Sequence, residues 1–465
     1  MFETKVYVER RNKLKNMFRK GTELLLFIGN GESPMNYPSN AYRFRQDSTF
    51  LYYWGINYPD CAAVIDVEKD TECLYINDVD IDDIIWMGPQ ESVKAKGARA
   101  GVKSVYPLKD LFTSINNAVR AGRKIHFLPQ YRQDNAEMLS TLLGIKSKHV
   151  KNYVSKKFID AVIAMRSVKD EYEIEEIEKA CNIGYKMHTA VMRKCKPGLM
   201  EYALAGEIEG ISIAENGYIS FPVILSQNVH ILHNHDHSQK LAENRMLITD
   251  AGAENNMNYC SDFTRTIPVN GKFTQKQKDI YNIALAANNK TIELAKPGVT
   301  YKSIHLEIAK IITRGLCDLG IMRGNVDDAV ENGAHALFLP HGLGHMMGLD
   351  VHDMENLGED AVGYDRETVR STQFGTSSLR MGRQLQKNFV VTDEPGIYFI
   401  PELIAKWKSE KINEAFINYT KVNEYMDVSG VRIEDDLLIT ENGCRLLGKK
   451  RIPITVDEIE EMMKK

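Results

Sequence analysis

The sequence predicts an α/β domain followed by an α+β domain, on three observations. The chain has 465 residues, 43% hydrophobic and 26% charged, an ordinary globular balance with material for more than one core. Over residues 22–129, short apolar runs (ELLLFIG, TFLYYWGI, CAAVIDV, ECLYI) alternate with polar helical stretches, the rhythm of layered α/β structure. Around residues 150–165 that rhythm gives way to apolar positions at helical spacing with acids and bases between them, and beyond it helices and strand-rich pieces segregate. The change of pattern sets the expected domains at residues 1–155 and 156–465.

In chain order, a basic, helix-like start comes first. Its flank of charges and the short apolar run at residues 24–28 predict neither a signal peptide nor a membrane span. In the second domain, helices are expected at about 169–195, 200–216 and 274–295, and strands in FPVILSQ, NRMLITDAGA, YCSDFTRTIPV, NFVVTDEPGIYF and VSGVRIEDDLLIT. A glycine-rich run surrounds His341 but lacks the Lys-Ser/Thr of a phosphate loop, so nucleotide chemistry loses its usual motif. The net charge of -4 supplies no excess of basic residues for nucleic acid or an anionic membrane surface. Seven cysteines without a CxxC pair read as reduced, packed thiols and point to the cytoplasm.

Four acids sit in strand-like surroundings where a carboxylate is an awkward core residue. Asp250 follows Met246, Leu247 and Ile248; Asp262 lies beyond an Asn-rich turn (Asn255, Asn256, Asn258); Glu394 interrupts FVVTDEPGIYF; Glu434 lies in GVRIEDDLLIT. Strand alternation puts Arg432, Glu434 and Asp436 on one face. Any one acid alone is explained by an ion pair or a solvent-facing strand end. Several converging without counter-charge would repel one another and be forced to protonate, whereas two divalent cations would neutralise them. Histidines supply a second cluster: His341, His345 and His352 in FLPHGLGHMMGLDVHD, and His230, His233, His235 and His237 in HILHNHDH. Gly342 stands where an HExxH helix has its glutamate, which excludes that zinc-protease motif.

DAGAENNMNYCSDFTRTIPVNGKF, HGLGHMMGLDVHD, DEPGIYF and GVRIEDDLLIT occur in the order and approximate spacing of the pita-bread metallopeptidases, and most closely resemble aminopeptidase P and prolidase. FRQDSTFLYYWGINYPDCAAVID and IIWMGP resemble that family's N-terminal domain, so the likeness covers nearly the whole chain. One departure is an extra residue between Asp250 and Asp262, which a longer turn or a bulge would absorb. The resemblance implies a pita-bread catalytic domain in which Asp250, Asp262, His345, Glu394 and Glu434 hold two metal ions. It matches His233, His341 and His352 to substrate and transition-state histidines, and gives Glu394 a second role as proton shuttle. An oxygen-rich set with one imidazole suits Mn²⁺ first, then Co²⁺ or Zn²⁺.

The implied reaction is cleavage of the bond between an N-terminal residue and a following proline, by an Xaa-Pro aminopeptidase or, as the alternative, an Xaa-Pro dipeptidase (prolidase). Arg380 stands where prolidases carry a carboxylate-binding arginine, Arg383 aligns as readily with an arginine of aminopeptidases, and Arg432 is expected to face substrate. Trp86 matches an N-terminal-domain aromatic that helps close a neighbouring subunit's site, which implies a homodimer or a dimer of dimers. Rival classes are a non-catalytic peptide-binding relative, which would have lost ligands, and a methionine aminopeptidase or creatine amidinohydrolase. The separate N-terminal domain and the HGLGHMMGLDVHD and RIEDD motifs count against these last two.

Overall fold

The structure, a computed structural model, describes residues 1–18 and 21–464, and the chain divides into two compact units, Met1–Arg166 and Ser167–Lys465. The helix Lys156–Ser167, which follows the boundary expected from sequence, belongs to the first unit up to Arg166.

In the first unit, strands β1 (Glu23–Ile28), β2 (Cys61–Asp66), β3 (Thr71–Ile76), β4 (Ser104–Tyr106) and β5 (Lys124–His126) form one sheet in the order β4-β3-β2-β1-β5. β1 and β2 pair antiparallel and β1 and β5 parallel. Leu24, Leu26 and Ile28 of β1 pack with Val64, Ile115 and Leu139 in one buried cluster. The run TFLYYWGI is helix here, not strand: Ser48–Trp54 is helical and buried at every position. Asp47 caps it by accepting from Phe50 N–H, and Gly55 closes it in the left-handed conformation. A helix buried all round shows no amphipathic period, so its apolar run looks like a buried strand.

In the second unit, β6 (Tyr218–Ile219), β7 (Ile224–Ser226), β8 (Met246–Asp250), β9 (Ala253–Glu254) and β10 (Thr264–Pro268) precede β11 (Val390–Asp393), β12 (Gly396–Tyr398), β13 (Gly430–Arg432), β14 (Asp435–Ile439) and β15 (Cys444–Leu446). They form small antiparallel groups, β10-β8-β7, β11-β14-β15, β12-β13 and β6-β9. Helices Glu171–Lys194, Glu201–Ala214, Gln275–Leu294 and Tyr301–Asp318 complete an α+β layer. The capping boxes at Asp170 and Thr274 show why two of these helices begin where they do. No helix among the described residues is long and apolar enough to cross a membrane.

Candidate active site

Asp250 ends β8 opposite Thr264 of β10, and the antiparallel pairing keeps one register outward. Ala251 N–H donates to Phe263 O, Ser261 N–H to Ala253 O, and Glu254 pairs with Cys260. There is therefore no bulge. The hairpin turns over residues 255–259, closed by Asn255 N–H to Tyr259 O, with Asn258 at φ 67°, a conformation asparagine tolerates. A Cβ on Gly252 would meet Ser261 O at 1.7 Å, so the close strand approach beside Asp262 requires glycine.

His345 is fixed by two bonds to Thr392 on β11: its N–H donates to Thr392 Oγ1 at 3.1 Å and its carbonyl accepts Thr392 N–H at 3.0 Å. Gly344 passes so near that a Cβ would sit 2.1 Å from Thr392 O. His345 Nδ1 faces Met346 O at 3.1 Å; a carbonyl can only accept, so Nδ1 carries the proton. Nε2 then presents a lone pair 3.4 Å from Asp262 Oδ2, the tautomer a metal ligand needs. Glu394, directly after β11, donates its N–H to Leu343 O.

Glu434 bridges to Thr264 through its N–H and accepts Thr264 Oγ1–H on Oε2 at 2.7 Å. Arg432 donates to Asp250 Oδ2, to Thr264 Oγ1 at 3.2 Å and to Tyr398 Oη at 2.9 Å. Asp436 accepts Asp262 N–H at 3.0 Å. Alternation thus brings Arg432, Glu434 and Asp436 to the Asp262 hairpin, while Asp435 points away to Arg265 and Arg451.

Asp250, Asp262, Glu394 and Glu434 line one cavity of about 310 Å³ with His233, His341, His345, His352, Arg380 and Arg432. Ligand atoms of Asp262, His345 and Glu434 lie within 4.8 Å of one another, close enough for one cation. Burial first, and the neighbouring carboxylates next, hold Asp262 and Glu434 well above the usual carboxylate range, and burial also raises Glu394. Asp250 Oδ1 and Asp262 Oδ1 are buried without a hydrogen-bond partner. Crowded acids, orphaned oxygens and an imidazole lone pair on the same spot fit divalent cations.

His341 donates from Nδ1 to Gly342 O at 2.7 Å and accepts Tyr398 Oη–H at Nε2, 2.9 Å away, and burial lowers its pKa to about 3. His352 stacks on His345 at 3.8 Å and donates Nδ1–H to Glu355 at 3.1 Å; burial lowers its pKa to about 4. Glu355 also takes Arg380 Nη1–H at 2.7 Å, as does Glu359. Arg383 is not among the cavity residues; it bonds Ser167 Oγ and covers the Phe389 ring. Trp86 lies in the first unit on the helix Ile81–Met87, which buries none of its residues, and is 84% exposed. Sequence reasoning missed Tyr398, Thr264 and Glu355. Tyr398 lies inside DEPGIYF, a motif already singled out, but its link to His341 and Arg432 carries no local signal, nor does Glu355.

The profile of metallopeptidase family M24 matches residues 175–441, and that of the aminopeptidase P N-terminal domain matches residues 7–126. A probable Xaa-Pro aminopeptidase of Fusarium vanettenii is 34% identical over 90% of this chain and 87% of its own. The Homo sapiens Xaa-Pro dipeptidase is 30% identical over 98% and 93%. The solved structure of proline aminopeptidase P II from Yersinia pestis superposes over 100% of both chains with a TM-score of 0.81 and 28% identity. Escherichia coli aminopeptidase P, in complex with substrate, gives the same TM-score over 100% of this chain and 98% of that one. With its cluster of acids around His345 and its pita-bread neighbours, the chain belongs to metallopeptidase family M24.

Proposed function

We propose that the protein is a two-metal Xaa-Pro aminopeptidase, with Mn²⁺ the first choice of metal. The observation that carries this is the convergence of Asp250, Asp262, His345, Glu394 and Glu434 on one cavity, with relatives named Xaa-Pro aminopeptidase over most of the chain. We assign these five as ligands. Divalent cations bound there would balance the carboxylates, polarise a scissile carbonyl and lower the pKa of a water.

The chain's own groups then divide the work. Glu394, whose carboxyl burial already biases toward protonation, accepts a proton and returns it to the proline nitrogen as that amine leaves. Proline's tertiary amide has no N–H for a peptidase to hold, so recognition falls to the cavity wall. Arg432, Tyr398 and His341 form a hydrogen-bonded chain that keeps the His341 ring in place. His352, with Nδ1–H on Glu355 and its pKa lowered to about 4 by burial, is neutral at pH 7 and presents Nε2 to the substrate as an acceptor. His233 lines the cavity from the loop after β7 and is assigned to the substrate. Seven cysteines, none in a disulfide among the described residues, support a cytoplasmic location, and the exposed Trp86 supports assembly as a dimer or dimer of dimers in which it reaches a partner's site.

The second reading, an Xaa-Pro dipeptidase, is favoured by one observation: Arg380 lines the cavity at 39% side-chain exposure, where a guanidinium could grip a free carboxylate. Its pairs with Glu355 and Glu359 instead support a supporting role beside His352. Kinetics of Arg380→Ala on Xaa-Pro dipeptides and Xaa-Pro-Yaa peptides separates the two. The aminopeptidase reading expects wild type to cleave Xaa-Pro-Yaa. A loss well over about 10-fold in kcat/KM for dipeptides alone would assign Arg380 to the carboxylate, and a wild type that cleaves only dipeptides would overturn the first reading.

A further inference from the structure

The loop from Gln227 to Gln239 carries His233 into the cavity, and its two ends are tied at Glu201, which accepts Gln227 N–H on Oε1 at 2.7 Å and donates its own N–H to Gln239 O at 2.9 Å. Between those ties the loop lies along residues 429–432. Val229 covers Gly430 so closely that a Cβ there would come within 3.3 Å of Val229 Cγ1. His230 meets Ser429 twice: its backbone N–H lies 3.2 Å and its Nδ1 2.8 Å from Ser429 Oγ. Leu232 O accepts from Arg432 Nη2 at 3.5 Å.

The direction of the His230 bonds follows from chemistry. A backbone N–H can only donate, so Ser429 Oγ accepts from it; the hydroxyl then gives its own proton to a bare Nδ1 or accepts from a protonated one on its second lone pair, so the pair is bonded in either tautomer. Ser429 is held at φ 68°, ψ -58°, the strained γ-turn region that a residue with a Cβ rarely occupies. Strain of this kind persists where surrounding bonds over-determine it. Here Ser429 N–H donates to Met426 O, its carbonyl accepts Phe399 N–H, and its hydroxyl takes both His230 bonds. Arg432 is anchored independently by Asp250, Thr264 and Tyr398. The loop is therefore the side that yields if the latch opens, and of the cavity residues it carries, Leu232, His233 and His235, His233, three residues along, is the one assigned to the substrate.

We propose that His230 and Ser429 form a latch that positions His233 for the reaction, making His230 a positioning residue although it does not line the cavity. The inference rests on the assignment of His233 to the substrate. The test is a double-mutant cycle on the metal-loaded enzyme with an Xaa-Pro-Yaa peptide, alongside amide hydrogen exchange over residues 229–233. His230→Ala should lower kcat/KM by about 10-fold and speed exchange of that segment. His230→Asn, whose Oδ1 stands where Nδ1 stood, should restore most of both. In a His233→Ala background, His230→Ala should add no further loss. An equal loss in both backgrounds would overturn positioning through His233, and unchanged exchange in His230→Ala would overturn the latch. If wild type hydrolysed no Xaa-Pro peptide, the proposed function would fail, and exchange would still decide the latch.

Discussion

Stripping the metal should destabilise the protein by an amount that grows with pH. At neutral pH Asp262, Glu394 and Glu434 must ionise beside one another to bind cations, and burial and mutual repulsion raise the pKa of each. A carboxyl raised in the folded state gives stability that is present below its unfolded value and lost as pH rises through the folded value. The metal-bound site escapes that loss, so the gap between loaded and chelated protein widens upward in pH. At 100 times Kd, loading stabilises by about 2.7 kcal/mol, or about 4 °C in Tm for the unit Ser167–Lys465. If binding releases one proton, one pH unit lower multiplies Kd by about ten and leaves about 1.4 kcal/mol, roughly half the shift. Thermal melts at pH 6 and 7, with chelator and with Mn²⁺, measure this directly. Asp262→Asn should melt higher than wild type in chelator and gain little from metal. A metal shift that is absent, or that grows as pH falls, would refute the electrostatic account of the site.

Three further outcomes are expected. Glu394→Gln should keep fold and metal, since the amide still offers an oxygen, but lose about 10²–10⁴-fold in kcat; wild-type kcat in the metal-saturated variant removes Glu394 from proton transfer. His305 and His335 are fully buried with no partner on any ring nitrogen, and burial lowers His305 to about 3. A depressed imidazole gives stability that is present above its unfolded pKa of about 6.5 and lost as pH falls, so in chelator, ΔΔG between wild type and His305→Leu should shift by about 2 kcal/mol from pH 7 to 5. A constant ΔΔG by denaturant titration would show that His305 does not titrate with folding. Trp86→Ala should weaken self-association in sedimentation runs, and a fully active monomeric wild type would contradict the assigned oligomer.

The acids of the site were legible because strands rarely carry isolated carboxylates: Asp250, Asp262, Glu394 and Glu434 all stood out against apolar runs, and all four line the cavity. The glycine-punctuated segment offered His341, His345 and His352 alike, and the family resemblance singled out His345, where Gly344 admits the approach to Thr392. What the sequence hid depends on long-range contact. Glu355 meets His352 locally, but it is joined to Arg380, 25 residues on, across an irregular segment, and no periodicity encodes that. Tyr398 joins His341 to Arg432 through strand pairing between β12 and β13. The helix Ser48–Trp54 was hidden by its own burial, which erased the amphipathic stripe that identifies a helix.

Metal-dependent cleavage specific for proline in the second position is decided by one comparison. Chelated enzyme is restored with Mn²⁺ and given an Xaa-Pro-Yaa peptide and the same peptide with alanine in place of proline. Release of the N-terminal residue from the proline peptide is expected, with no turnover before metal is returned and a kcat/KM for the alanine peptide lower by more than about 10-fold. Equal cleavage of both peptides, or undiminished turnover in chelator, would contradict it.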